Sequence, residues 1–534
     1  MLKRNKILLA IIIVAALLRF LFIGNLPPSL TWDEAAWGYN SYTLGMDLKD
    51  EFGKLLPLTF IESFGDFKPP LYAYLGVIPV KIFGLTEFAT RFPSAFFGTL
   101  SVFLTYFLVR EIFKKKSIAL ISTFLLAISP WHIMLSRAAF EANVAHFFIL
   151  LGLLLFFIAL RKNPKYFIFS ALSFVLSMYT FNSARIVVPL LVICLSIIFR
   201  KKLMKELRYV LASLVVGFLV FLPLLLFINT PQAKLRFEEV NIFSDIGLIN
   251  RTNQEVANDN NSLFSKVIHN RRFTYGVEYL RHYFDNLTPQ FLFVKGDGNP
   301  KFSIQDIGQL YMWEIPFLVI GILTLFRKRE GYWWIVPTII IIGIIPAGFA
   351  RETPHALRVE NVLPAFQILT AIGIITSFKL IPKKLFMHAC ILIGIIIFLQ
   401  FGYFIHNYLA HYSRQFSGEW QYGYKESVAY VAGQQKNYKD IYVTESLGRP
   451  YIYYLFYLKY KPQDFRREAN IYREPLGFVH VNKFSNINFT AKISDIRKEN
   501  SLYIAKPDEK PEGASVLREF RLLNGKVTLV AYTL

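Results

Sequence analysis

An acidic pair, Asp33-Glu34, follows directly on the first apolar stretch of the chain. Four more carboxylates, Asp47, Asp50, Glu51 and Glu62, lie between it and Asp66, and a Lys-Pro-Pro run, Lys68–Pro70, comes next. An ionisable group beside a bilayer is costly and is a functional candidate by default. Asp33 and Glu34 have the chemistry of a general base, or of a hard-cation ligand, at a membrane surface. A second reading of Asp33 is a helix cap for the turn that begins at Ala35. Lys68 is stiffened by two prolines and offers a point charge suited to phosphate, or simply a snorkelling interface ammonium. Ser136-Arg137-Ala138-Ala139-Phe140-Glu141 closes one apolar stretch and opens the next. Arg137 and Glu141 are spaced either for substrate contact or for an ordinary helical ion pair. Arg185 occupies an equivalent turn, as a ligand contact or a helix anchor. The segment RETPHALR sets Arg351, His355 and Arg358 against a single Glu352. Guanidinium forks match phosphate geometry, so this loop reads as an anion binder. Gly296-Asp297-Gly298-Asn299-Pro300-Lys301 lacks phosphate-loop spacing and reads as a plain turn bordering the same cavity. Zinc spacing, a nucleophile elbow and a dinucleotide fingerprint are all missing from the sequence.

The elements that must position these groups are membrane helices. The chain has 534 residues, 54% of them hydrophobic and 16% aromatic, with 52 Phe. That composition excludes an ordinary soluble domain. A crossing takes roughly 20 apolar residues. About eleven spans follow, near 7–24, 92–110, 117–135, 142–160, 166–181, 185–199, 208–228, 313–326, 332–349, 360–378 and 385–405. The first has no small-residue cleavage site after it and reads as an uncleaved helix. Leu71–Leu85 is short and interrupted by Pro79 and Lys81, so it reads as interfacial or re-entrant. With that segment not crossing, Lys3/Arg4/Lys6, Lys114–Lys116, Arg161/Lys162/Lys165, Arg200–Lys202, Arg327–Arg329 and Lys383/Lys384 all fall on one side. The positive-inside rule names that side cytoplasmic. The acidic pair and the other polar groups then share the outer face, in a cell membrane protein with a cytoplasmic N-terminus. The net charge of +22 is thereby explained by topology and lipid phosphate, with no call for nucleic acid. Cys194 and Cys390 fall inside spans and imply no disulfide framework.

The chain divides in sequence into a transmembrane domain, 1–412, with outer loops 25–91 and 229–312, and a polar tail, 413–534. The tail reads as an extracytoplasmic α/β domain, with a helix near Tyr424–Gln435 and strands at Asp440–Thr444, Leu502–Ala505 and Val527–Leu534. Asn260, Asn286 and Asn488 begin N-x-S/T triplets.

Taken in order, these motifs resemble the GT-C class of polyprenyl-phosphate-dependent glycosyltransferases, in particular the protein O-mannosyltransferase and lipid A aminoarabinose transferase group. The match runs through Asp33-Glu34, Lys68–Leu71, the Arg91-Phe92-Pro93-Ser94 helix opening and Glu141, where relatives often carry Asp. It is good over about the first 200 residues and around Gly296–Arg358. The resemblance implies a lipid-phosphate sugar donor, and a protein, glycolipid or envelope-glycan acceptor on the outer face. It further implies inverting transfer with Asp33 as base. Lys68, His355 and Arg358 would meet the leaving phosphate, while Arg91, Arg137, Glu141 and Arg185 would line substrate. Glu34 and Glu141 would orient Asp33, bind sugar hydroxyls or hold a divalent cation, which is not a predicted requirement. Competing classes are a flippase for lipid-linked oligosaccharide and an O-antigen polymerase or ligase. Flippases tend to show repeated halves and midplane charges, which this sequence lacks.

Overall fold

The computed structural model describes residues 6–474 and 478–534, with the backbone alone over 236–240. Lys3 and Arg4 of the first basic cluster lie outside the described residues. All eleven stretches read as spans are helical. By length and composition, five described helices can each cross a membrane, or six if the bent pair Lys116–Ile128 and Pro130–Ser136, angled by 57°, counts as one. Others are shorter, such as Tyr166–Met178 and Ile335–Gly348. The protein is a polytopic α-helical membrane protein with a C-terminal sheet domain.

By contact the chain forms two compact units. The first gathers Met1–Arg19, Phe97–Ser136 and Glu141–Phe404. Inside it, helices Glu314–Lys328 and Ala365–Leu380 approach until backbone meets backbone. A Cβ at Gly321 would strike the Leu369 carbonyl, and one at Gly373 the Phe317 carbonyl. Lipid gives no hydrophobic drive for helices to pair, so small residues that admit close van der Waals contact supply it. Hydroxyls add to this: Ser170 donates to Gly152 O at 2.7 Å and Ser173 to Phe148 O at 2.7 Å. The helix Lys383–His406 has only Phe404 buried, as expected of a helix facing lipid. The loop 229–312 is largely helical, with amphipathic segments Ile246–Asn258 and Arg271–Asp285.

The second unit gathers Phe20–Phe96, Arg137–Phe140 and Ile405–Leu534. The first outer loop therefore folds with the tail, which a linear boundary at 413 does not convey. Strands β1 (Ile61–Ser63) and β2 (Asp66–Lys68) form a small antiparallel hairpin pairing Ile61 with Lys68. A seven-stranded mixed sheet follows, built from β3 (Asp440–Thr444), β4 (Asn470–Arg473), β5 (Val479–Phe484), β6 (Ile487–Thr490), β7 (Ser501–Ala505), β8 (Ser515–Arg521) and β9 (Val527–Thr533). Its order is β4-β5-β6-β3-β7-β9-β8, with β3 parallel to both β6 and β7. The three tail strands expected from sequence are β3, β7 and β9, and the expected helix is Tyr424–Gln434. One continuous core joins Leu30, Ala35, Ala36 and Tyr39 from the first loop to Ile452–Phe456, Ile441, Val443 and Phe489 from the tail.

Candidate active site

Helix Trp32–Asp47 carries the acidic pair in its first turn. Thr31, not Asp33, is its cap. Thr31 Oγ1 accepts from Glu34 N at 3.3 Å, and Glu34 Oε2 accepts from Thr31 N at 3.0 Å, closing a capping box. That assignment removes the cap explanation for Asp33. Glu34 is 1% exposed and accepts further from Arg91 Nε at 2.8 Å, Arg91 Nη2 at 3.2 Å and Ala139 N at 2.9 Å. Arg91, fully buried, also donates to Ile23 O at 3.0 Å and Pro27 O at 2.8 Å. Arg137 donates to Leu21 O, Leu26 O and the Tyr408 hydroxyl. Glu34, Arg91 and Arg137 thus hold the approach to the helix in place, and their polar atoms are engaged with protein.

Asp33 is placed differently. Its side chain keeps 54% of its surface exposed and forms an ion pair with Lys68 Nζ. The Lys68 side chain is 10% exposed. Its ammonium lies 5.4 Å from the Trp37 ring and 5.3 Å from the Phe64 ring, a cation–π setting that fixes the charge at the end of β2. An exposed carboxylate beside a largely desolvated ammonium can accept a proton on one side and steady an anion on the other.

Beneath this pair lies Glu51, fully buried. Asn40 Nδ2 and the Tyr451 hydroxyl each donate to it at 3.1 Å. Burial, reinforced by Asp50, pushes its carboxyl from 4.5 up to about 8, against the hydrogen bond from Tyr451 and the charge of Lys68. A carboxyl whose folded pKa is raised binds more protons in the native state. Its contribution to stability therefore falls as pH rises from about 4.5 through about 8. Glu51→Gln, fixed in the neutral form, is expected to melt above wild type at pH 9 and together with it at pH 5. Thermal melts at the two pH values check this; a gap independent of pH would contradict it.

The first unit holds a second cluster. Asp297, in the Gly-Asp-Gly turn, accepts from Asn299 N at 2.8 Å and Ala356 N at 2.6 Å. His355 Nδ1 lies 3.9 Å from Asp297 Oδ2, and its ring packs on Phe302 with centroids 5.0 Å apart. Arg358 donates to Glu352 O at 3.0 Å. Burial pushes the Asp297 carboxyl up to about 6, against the pull of those two N–H groups and Arg358. Sequence reasoning missed Asp297, because Gly-Asp-Gly reads as a turn before it reads as a ligand. The three cations of RETPHALR do not stay together. Arg351 turns away, donating to Asn241 O at 3.0 Å and Ser244 O at 2.7 Å. Asn286 is 2% exposed and accepts from His355 N at 2.9 Å, so its triplet serves the loop.

Glu141 opens helix Glu141–Ala159. Arg137 lies just ahead of that helix. Arg185 sits in the first turn of helix Ala184–Lys205 and donates to Met178 O at 3.3 Å. Among the described residues, no three His, Cys, Asp or Glu side chains come together as a metal site.

Residues 67–227 match the family model described as dolichyl-phosphate-mannose-protein mannosyltransferase. An uncharacterized protein of Aquifex aeolicus is 32% identical over 152 residues, 28% of this chain and 30% of the relative. The putative mannosyltransferase YkcB of Bacillus subtilis is 32% identical over 104 residues, 20% of this chain and 14% of the relative. The chain spans less than a third of the length of these curated relatives. Among solved structures, ArnT from Cupriavidus metallidurans bound to undecaprenyl phosphate aligns over 98% of this chain and 97% of its own. The TM-score is 0.54 at 13% identity. Its apo form aligns over 99% and 98%, with TM-score 0.57 at 14% identity. The likeness establishes that the chain shares the fold of ArnT, and the family-model match over 67–227 overlaps the stretch in which the sequence carries its resemblance.

Proposed function

We propose that the protein is an integral-membrane glycosyltransferase that moves a sugar from a polyprenyl-phosphate donor to an acceptor hydroxyl on the outer face, with inversion. The observation that carries this reading is the Asp33–Lys68 pair, an exposed carboxylate joined to an ammonium fixed between two rings. The family match over 67–227 and the fold of an undecaprenyl-phosphate-binding relative support it.

In this mechanism Asp33 takes the proton of the acceptor hydroxyl as that oxygen attacks the anomeric carbon. The bond from that carbon to the lipid phosphate breaks, and its electron pair stays on the phosphate oxygen. Lys68 meets the charge as it grows there, where a preorganised cation stabilises the transition state most. The capping box and the Glu34–Arg91 pair fix the helix turn that presents Asp33, which makes Glu34, Arg91 and Arg137 positioning residues. No step in this scheme uses a metal.

Lys68→Ala is expected to lower kcat at least tenfold and to raise the donor KM, with the acceptor KM changed less than twofold. Steady-state kinetics on purified protein in proteoliposomes, with a radiolabelled polyprenyl-phosphate sugar, separate the two. An unchanged donor KM and kcat would remove Lys68 from the phosphate role and the reading with it.

A further inference from the structure

The second unit contains a cavity of about 440 Å³ that no step above uses. Its size falls in the range of roughly 300–1,000 Å³ of small-ligand sites. Trp32, Gln421, Tyr422, Tyr424, Ser446 and Thr528 line it, together with Leu447 and two glycines. None of these side chains is charged. Three are aromatic, and most of the rest carry hydroxyl or amide groups.

The lining is arranged rather than incidental. Tyr424 is 1% exposed, and its hydroxyl is buried with no hydrogen-bond partner in the protein. An unmet buried hydroxyl costs about 1–3 kcal/mol and calls for a ligand or water. The Tyr424 ring stacks on Tyr453 with centroids 4.3 Å apart, so it cannot swing away cheaply. Gln421 Oε1 accepts from the Tyr453 hydroxyl at 3.1 Å, which leaves the amide N–H groups as its part for a ligand. Ser446 and Thr444 both donate to Glu509, which sets the Ser446 side of the cavity. Gly448 holds φ at +117°, and a Cβ there would run into the Trp32 ring. The indole is therefore packed closely against bare backbone. Trp32 is followed directly by Asp33 on the same helix.

We propose that this cavity is the acceptor subsite and that it takes a neutral glycan. A pyranose ring has an apolar C–H face and a rim of hydroxyls. Rigid aromatic planes cover the first at low entropic cost. Uncharged donors and acceptors such as Tyr424, Gln421 and Thr528 answer the second. A phosphorylated or strongly charged acceptor would find no counter-charge in the wall. The inference deepens the transferase reading and rests on it for the word acceptor; the binding of glycan rests on the cavity alone.

The test uses the full chain in lipid nanodiscs, so that no glycosidic detergent competes. Saturation-transfer NMR and titration calorimetry are run with mannotriose and, separately, with a neutral threonine-containing hexapeptide, both without donor. Mannotriose is expected to bind saturably and the peptide not to bind. Tyr424→Phe should weaken mannotriose about three- to tenfold, the loss of one neutral hydrogen bond. Gly448→Ala, which displaces the Trp32 ring, should weaken it at least tenfold, while Tyr424→Phe, which removes an unmet buried hydroxyl, melts at or above wild type as a folding control. Peptide binding in place of mannotriose, binding of neither, or mannotriose binding that ignores both variants would each overturn the proposal. If mannotriose binds but no sugar leaves a polyprenyl-phosphate donor, the subsite stands and the transferase reading falls. If sugar is transferred but mannotriose does not bind, the subsite falls alone.

Discussion

Asp33→Asn is expected to lower sugar transfer by roughly 10²–10⁴-fold, the usual worth of a positioned general base, with the melting temperature close to wild type. The two halves of that expectation come from different parts of the structure. Asparagine has the shape of aspartate and cannot accept the acceptor proton, so kcat carries the loss. The fold gives up little, because the Asp33 side chain is 54% exposed, so its pair with the buried Lys68 ammonium is worth about 1 kcal/mol, and the asparagine oxygen still accepts from that ammonium. Its place in the first helical turn adds a dipole interaction of about 0.3–1 kcal/mol. The cap itself belongs to Thr31 and Glu34 and survives the substitution. Transfer assays and melts on the same purified variant check both halves. Near-normal kcat would reject Asp33 as the base, and a collapsed melt would show that its part is structural.

Arg91→Met should do the opposite. It removes the partner of a carboxylate that is 1% exposed, and breaking a buried pair from one side costs about 3–5 kcal/mol. It also strips donors from the Ile23 and Pro27 carbonyls. The expected result is a large fall in melting temperature, with activity lost in proportion to folded protein. Adding Glu34→Gln should recover part of the stability, since it removes the orphaned charge. The double-mutant cycle measures that coupling. A stable Arg91→Met protein with only a raised donor or sugar KM would return Arg91 to direct substrate contact.

The contrast between these two variants marks how far the sequence could be read. Asp33 and Lys68 were legible because both stand beside features that local chemistry explains, a helix start and a double proline. The Glu34–Arg91 pair was not, because its partners are 57 and 105 positions away and neither shares a repeat with the other. With the type of residue known and the fold unknown, a buried arginine looks the same as a ligand-binding one. Arg351 and Arg358 teach the same point, since seven positions apart they serve different neighbours. The tail strands β3, β7 and β9 announced themselves by apolar runs with β-branched or aromatic residues. Strand β4 is exposed along its whole length and gave no pattern to find. The joint core of the first loop and the tail is a long-range matter that no window of sequence contains.

The proposed activity breaks the bond between a sugar and a polyprenyl phosphate. The measurement that meets it most directly uses the purified wild-type chain in proteoliposomes, a polyprenyl-phosphate sugar labelled in the sugar, and an envelope fraction as acceptor. Label is expected to leave the lipid and appear on acceptor, with free polyprenyl phosphate formed one for one. Label that only changes leaflet while still attached to lipid, or that does not move, would contradict it.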